Sequence, residues 1–148
     1  MVQIEPVSEY DATEILSLIE EYFPYVTMDF DKLVRRIHSP RFIFHKSMEK
    51  EQFTGYAEWE ILDEKKKLIR LNGIVIIPRF REKKHASALL EKGEATAKQK
   101  GMKTITLLVM ESNSPAQKLY KKHDYSYARP HTHKINGEKT QVWEKKLV

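Results

Sequence analysis

The apolar run Ile74-Val75-Ile76-Ile77 passes through Pro78 into a basic turn, and the turn opens a segment of helical spacing from about His85 to Lys100. Gly101 stops that segment, and a second apolar run, Thr104–Met110, follows at once. Two strands joined through a helix run in the same direction, and such a crossover is nearly always right-handed. The strand–helix–strand unit around residues 68–109 therefore implies a parallel crossover, with a helix lying on the sheet. Ala86, Leu89, Leu90 and Ala97 form that helix's apolar stripe.

The remaining segments read as follows. Residues 2–7 make a short strand. Ser8 or Asp11 caps a helix whose apolar face is Ile15, Leu16, Leu18, Ile19 and Phe23, and Pro24 ends it. Asp29 or Asp31 opens a second helix with Leu33, Val34 and Ile37 on its buried side, and Ser39-Pro40 stops it. Strands follow at 41–46, 53–62 (with Gly55 inside) and 67–77, the last two joined by a turn at 63–66. The nearly continuous apolar content of 74–77 suggests burial on both faces. Ser112 or Asn113 caps a helix with Pro115 in its first turn, running to Lys122. Strands at 125–128 and 141–147 flank a loop whose tip, Asn136-Gly137, is a strong hairpin signal. The order β α α β β β α β α β β gives a single α/β domain over residues 1–148, with a mixed central sheet and helices on both faces.

Composition narrows the chemistry. The chain has 148 residues and no Cys, which removes disulfides, thiolate metal sites and a cysteine nucleophile. No apolar run approaches the ~20 residues that span a membrane. The start of the chain shows neither a basic n-region nor an apolar h-region, so a cytoplasmic location is expected. A net charge of +5 suits an anionic ligand, nucleic acid or plain solubility. The lysines are spread along the chain, and runs such as Lys65-Lys66-Lys67 read as solvated faces. No helix-turn-helix, zinc-finger or aromatic RNA-binding signature is present, so no nucleic-acid partner is expected.

Two constellations carry candidate chemistry. The first is the turn itself. The opening amides of a helix have no internal partners and lie at the positive end of its dipole, which makes a strand–turn–helix a seat for phosphate. Arg81, Lys83 and Lys84 add charge to it, although any strand-to-helix turn shares the outline. The second is Asn113, Ala116 and Tyr120, which fall near one helix face at spacings of three and four. They read first as a cap, a packing alanine and a core tyrosine. They read second as a surface that lets a ligand come close, beside a hydroxyl able to give a proton. His131 and His133 form an H-x-H pair without an evident third ligand, so no metal site is expected.

Together these stretches resemble the GNAT N-acetyltransferases. Residues 76–90 resemble that family's acetyl-CoA signature: a valine-x-proline strand end, an aromatic–arginine pair, then R/Q-x-x-G-x-G/A opening a helix. Residues 113–125 resemble its second motif, N-x-x-A-x-x-L-Y-x-x-x-G-F. Four residues depart from the pattern. Lys84 replaces the loop glycine, His85 replaces an aliphatic residue, and Asp124-Tyr125 replaces glycine–phenylalanine. Lys84 puts a side chain where backbone would approach a pyrophosphate, and its ammonium can offset that by facing the phosphate.

The resemblance implies acetyl-CoA as cosubstrate, lying where the strands at 70–77 and 104–110 splay apart. It implies a pantetheine arm against Ile74, Val75 and Ile76. It implies a diphosphate on the turn from Arg81 and Glu82 through Lys83, Lys84, His85 and Ala86 to Ser87, whose hydroxyl adds a bond. Asn113, Ala116 and Tyr120 complete the cofactor side, and Tyr120 is the implied proton donor to sulfur. The implied reaction is direct attack by a primary amine, on a small molecule or a protein, in a ternary complex.

The base is less evident. Histone-type members carry a glutamate about where Arg70 stands, and ribosomal-protein N-terminal acetylases carry one about where Leu108 stands. Glu58 and Glu60 share one face of the neighbouring strand and are the candidates, against solvent-exposed carboxylates or a water chain as the other readings. The N-terminal region that shapes the acceptor pocket in this family is acidic and aromatic here, with Glu14, Glu20, Glu21, Tyr22, Tyr25 and Asp29, which would suit a cationic amine such as a polyamine or lysine, against the ordinary reading of acidic helix faces as solvated. A homodimer is possible by the same resemblance. The competing reading is a module of this fold that binds acyl-CoA with weak or no catalysis.

Overall fold

The computed structural model describes residues 1–82 and 84–148. Among them are strands β1 (Gln3–Pro6), β2 (Phe42–Glu49), β3 (Gln52–Asp63), β4 (Leu68–Ile76), β5 (Thr104–Met110), β6 (Ser126–Pro130) and β7 (Thr140–Lys146). The helices are α1 (Ala12–Tyr22), α2 (Phe30–His38), α3 (His85–Gln99) and α4 (Ser114–Lys122). They build one mixed seven-stranded sheet in the order β1-β2-β3-β4-β5-β7-β6. Among the described residues only β4 and β5 pair in parallel, and α3 lies between them in the chain. The element order is the β α α β β β α β α β β read from the sequence.

Two apolar clusters show which helix covers which face. Trp59, Leu71, Ile105 and Leu107 pack with Leu89, Leu90 and Ala97 of α3 and Tyr120 of α4. Phe44, Tyr56 and Val75 pack with Ile15, Leu18 and Ile19 of α1 and Leu33 of α2 on the opposite face. The strand period of two sends Ala57 and Trp59 to the α3 face and Tyr56, Glu58 and Glu60 to the other. Helix α3 approaches closely because Gly93 sits against Trp59. A Cβ there would lie 2.1 Å from the indole ring.

Local chemistry sets the helix starts. The Asp29 carboxylate accepts from the Lys32 amide at 2.8 Å, and Asn113 Oδ1 accepts from the Ala116 amide at 3.2 Å. Ser8 and Asp11 form a reciprocal capping box around a 3-10 turn at residues 9–11, which leads into α1. The Asn136-Gly137 tip has positive φ at both residues, 52° and 75°, closed by Ile135–Glu138 backbone bonds. That is the turn two-residue hairpins favour.

Several boundaries differ from the sequence reading. Strand β2 runs on to Glu49, past a register shift at Ser47/Met48 that keeps it paired with β3. Strand β6 ends at Pro130, and Tyr125 lies just before it, with its hydroxyl donating to Glu94 at 2.8 Å. The apolar run of β4 is not buried on both faces throughout: Ile74 and Ile77 are half-buried while Val75 and Ile76 are buried. The reason is the splay of the sheet. β4 pairs with β5 from Leu68↔Thr104 to Leu71↔Leu107 and no further. Beyond that point β4 follows β3 up to Ile76↔Gly55, while β5 follows β7 up to Met110↔Thr140. A wedge opens through the sheet between them.

Candidate active site

A cavity of about 790 Å³ fills that wedge. Its walls draw on both faces of the sheet: Tyr22 and Phe23 from the end of α1, and Ala116, Leu119 and Tyr120 from α4. Its floor is the unpaired edge of β4, with Ile74, Val75 and Ile76, facing Leu108, Val109 and Met110 of β5. The backbone groups on that edge of β4 have lost their strand partner, as a bound chain running alongside would require.

A bulge in β4 shapes the middle of the site. Glu58 stands opposite Gly73 and Trp59 opposite Leu71, so Asn72 is the extra residue. Asn72 and Gly73 therefore both turn toward the α1 face. A Cβ on Gly73 would lie 3.3 Å from the Phe23 ring, while Asn72 reaches the two glutamates. Bulges aim side chains in this way beside active sites.

Glu58 and Glu60 are buried and line the cavity. Asn72 Nδ2 donates to Glu58 Oε2 at 2.7 Å and to Glu60 Oε1 at 3.0 Å, bridging the two carboxylates. Arg36 Nη1 donates to the same Glu58 Oε2 at 2.9 Å. Arg70 donates from Nε to Asn72 Oδ1 at 2.7 Å and from Nη2 to Glu60 Oε1 at 3.3 Å. Arg41 closes on Glu60 Oε2 at 2.7 Å. No hydrogen bond among the described residues uses Glu58 Oε1.

The two carboxyls are held at different acidities. Burial pushes Glu58 above the usual carboxylate range, against the pull of Asn72 and Arg36. Burial acts on Glu60 as well, but there Asn72 and the Arg70, Arg41 and Arg36 charges outweigh it and hold it below that range. Environments that drive two neighbouring titratable groups apart separate a proton acceptor from a permanent anion.

Tyr120 lies on the opposite wall, buried, its ring tilted against Tyr125 at 5.8 Å. Burial raises its pKa to about 12. Its hydroxyl keeps its proton and makes no hydrogen bond among the described residues.

The turn after β4 is tied down from within. Arg81 Nε donates to the Ile76 carbonyl at 2.9 Å, and the guanidinium lies 5.2 Å over the Tyr22 ring. Arg81 thus locks the turn to the strand while also lining the cavity. Glu82 and Lys84 both adopt left-handed backbone, with φ of 66° and 67°. Lys84 precedes α3 without capping it, so its side chain does not occupy the helix's first amides.

Of the residues singled out from the sequence, Glu58, Glu60, Ile74, Val75 and Ile76 line one cavity, together with Arg81, Ala86, Asn113, Ala116 and Tyr120. Glu82, Lys84, His85 and Ser87 belong to the adjoining turn and helix start and do not line it. Lys83 lies outside the described residues. His85 turns toward the sheet, with Nδ1 2.8 Å from Thr54 Oγ1 and its ring 5.7 Å from Phe80. The Ser87 hydroxyl meets His123 Nε2 at 2.9 Å.

Glu14, Glu20, Glu21 and Asp29 are exposed and stand apart from the cavity, whereas Tyr22 and Tyr25 line it. Asn72 and Arg36 had not been singled out. The Asn72-Gly73 pair inside a strand pattern was the available signal, since an isolated strand glycine marks bulges. His131 and His133 stack edge to face at 6.1 Å, and the described residues hold no cluster of three or more metal-capable side chains. No helix among them is long and apolar enough to cross a membrane.

Comparison with known proteins bears on family and fold. The model of the acetyltransferase (GNAT) family matches residues 10–125. The structure of an N-acetyltransferase from Staphylococcus aureus Mu50 superposes with a TM-score of 0.86 at 18% identity, over 100% of this chain and 99% of that one. Arabidopsis thaliana NAA60, solved in complex with acetyl-CoA, gives 0.85 at 14% identity over 99% of each chain. The ribosomal-protein-S18-alanine N-acetyltransferase from Escherichia coli gives 0.80 at 17% identity, over 99% of this chain and 94% of that one. At these identities the likeness is one of fold. A search of curated protein sequences finds no match.

Proposed function

The chain belongs to the acetyltransferase (GNAT) family, and we propose that it transfers an acetyl group from acetyl-CoA to a primary amine by direct attack in a ternary complex. The observation that carries this reading is the wedge between β4 and β5, which presents the Glu58 carboxylate and the Tyr120 hydroxyl to one cavity.

The residues present fit the cosubstrate. The free edge of β4 at Ile74–Ile76 offers backbone partners to an extended amide arm. Ala116 is small enough to let it pass, and Asn113 closes the wall. The opening amides of α3, after Lys84, offer dipoles to a diphosphate. Acetyl-CoA supplies an acyl carbon activated as a thioester.

This chain's residues then manage protons and charge. An acceptor ammonium must lose two protons to become an amide. Glu58, whose acidity burial has lowered, takes one through its unengaged Oε1 and passes it to solvent. As the new C–N bond forms and the C–S bond breaks, Tyr120 gives its proton to the departing sulfur. The second amine proton restores the phenol. A backbone N–H of β4 past the bulge stabilises the oxyanion at the acyl carbon. Glu60 stays ionised and keeps Arg70 and Arg41 in place.

The test is thermal shift with acetyl-CoA together with thiol release over an amine panel. A ligand that binds only the folded state raises the melting temperature. A shift with turnover supports the reading. A shift without turnover on any amine supports the binding-module alternative, and no shift overturns both.

A further inference from the structure

The acceptor side of the cavity is not acidic. Among the described residues that line the cavity, the charged ones are Arg36, Glu58, Glu60, Arg70 and Arg81. Arg81 belongs to the turn before α3. The remainder sets two guanidiniums against two carboxylates, and Arg41, outside the cavity lining, adds a second ion pair to Glu60.

Donors of both guanidiniums remain available. A guanidinium has five N–H donors. Arg36 spends Nη1 on Glu58 and lays its face on the Phe42 ring at 4.8 Å, and its Nε and Nη2 have no hydrogen-bond partner among the described residues. Arg70 spends Nε on Asn72 and Nη2 on Glu60, leaving Nη1. Its side chain is 35% exposed, so the cation stays reachable. Asn72 joins Glu58, Glu60 and Arg70 into one hydrogen-bonded cluster, so residues with unengaged donors line the same cavity as Glu58.

A polyamine or a lysine-rich tail would bring positive charge into this cluster and gain nothing from the spare donors. A zwitterion matches it at both ends. Building on the acetyltransferase reading, we propose that the acceptor is a free amino acid, its ammonium set at Glu58 and its carboxylate held by the unengaged N–H groups of Arg70 and Arg36. Guanidinium–carboxylate contacts of this type are strong and directional. A buried polar site that expects a partner also rejects analogues lacking it.

The experiment compares free amino acids with their own amides, such as leucine with leucinamide and phenylalanine with phenylalaninamide, with spermidine alongside. The amide's amine is the less basic, so more of it is neutral near pH 7, and chemistry alone favours the amide. The proposal expects the acids to win by ~10-fold or more in kcat/KM. It expects Arg70→Gln to erase that margin mainly by raising KM for the acids, with KM for acetyl-CoA unchanged. A second measurement needs no turnover: the coenzyme A-loaded protein is titrated calorimetrically with N-acetylated amino acids and their amides. Acids should bind at least ~10-fold more tightly. Amides or spermidine equalling the acids in both measurements overturns the proposal while leaving the acetyltransferase reading intact. Acids that bind the loaded protein without reacting support the recognition and sink the catalytic reading. A protein that takes no coenzyme A at all sinks both.

Discussion

Glu58→Gln removes a proton acceptor while keeping the shape of the site. Both hydrogen bonds to the carboxylate, from Asn72 at 2.7 Å and Arg36 at 2.9 Å, fall on Oε2. A glutamine oxygen in that place accepts both, and the amide nitrogen takes the place of Oε1. The loss is then chemical. A positioned general base contributes about 10²–10⁴-fold, or roughly 3–5 kcal/mol of barrier at about 1.4 kcal/mol per decade.

Stability moves the other way. Burial raises the folded-state pKa of Glu58 above its unfolded value. Its favourable contribution is therefore full below the ordinary carboxylate range and is lost as pH rises through the raised value. Glutamine mimics the neutral form, so the variant melts at or above the parent near pH 7, and the difference fades at acidic pH. The assay is thiol release across pH with a thermal melt at each point. In the parent, log(kcat/KM) climbs with the ionisation of Glu58, and in the variant that limb is absent. Activity within about 3-fold of the parent, with the acidic limb retained, would refute the assignment of Glu58 as base. A variant that melts well below the parent would show that its loss is structural.

Tyr120→Phe should lower kcat by about 10-fold or more, within the range of general-acid contributions, and leave KM for acetyl-CoA unchanged; equal turnover removes Tyr120 from the mechanism. Asn72→Ala takes away a hydrogen bond that favours the ionised form of Glu58, so the acidic limb of the pH–rate profile should move to higher pH. An unmoved limb would separate Asn72 from the base. Lys84→Gly places the residue best suited to left-handed backbone at φ 67°. Relief of roughly 1–2 kcal/mol of conformational cost, less about 0.5–1 kcal/mol of added chain entropy, leaves a small gain, readable as a rise of about 1–4 °C in melting temperature. A fall would mean that the Lys84 side chain makes contacts worth more than its strain.

The element order was legible because each boundary carries a residue with one physical use. Asp29 and Asn113 cap, Pro24 ends α1, Gly101 follows α3 with φ of 81°, and Asn136-Gly137 turns. The cofactor side of the site was legible for the same reason, since a strand end, a turn and a helix start are local features. The acceptor side was not. Arg36 and Glu58 are 22 residues apart, and they meet only because α2 docks on the sheet beside β3. The bulge at Asn72 shifts the alternation by one residue, so the period of two turns only one of Asn72 and Gly73 toward α1 where both turn that way. The acidic residues at 14–29 fit either a cationic acceptor or a solvated helix face from sequence alone. They are surface charges of α1 and the loop after it, and the charges lining the acceptor side of the cavity come from α2, β3 and β4.

The structure of the protein with coenzyme A bound is the most direct test of the whole account. The thiol should sit between the diverging halves of β4 and β5, beside the Tyr120 hydroxyl, with the diphosphate against the amides that open α3. Coenzyme A bound elsewhere on the molecule, with the wedge closed, would contradict it.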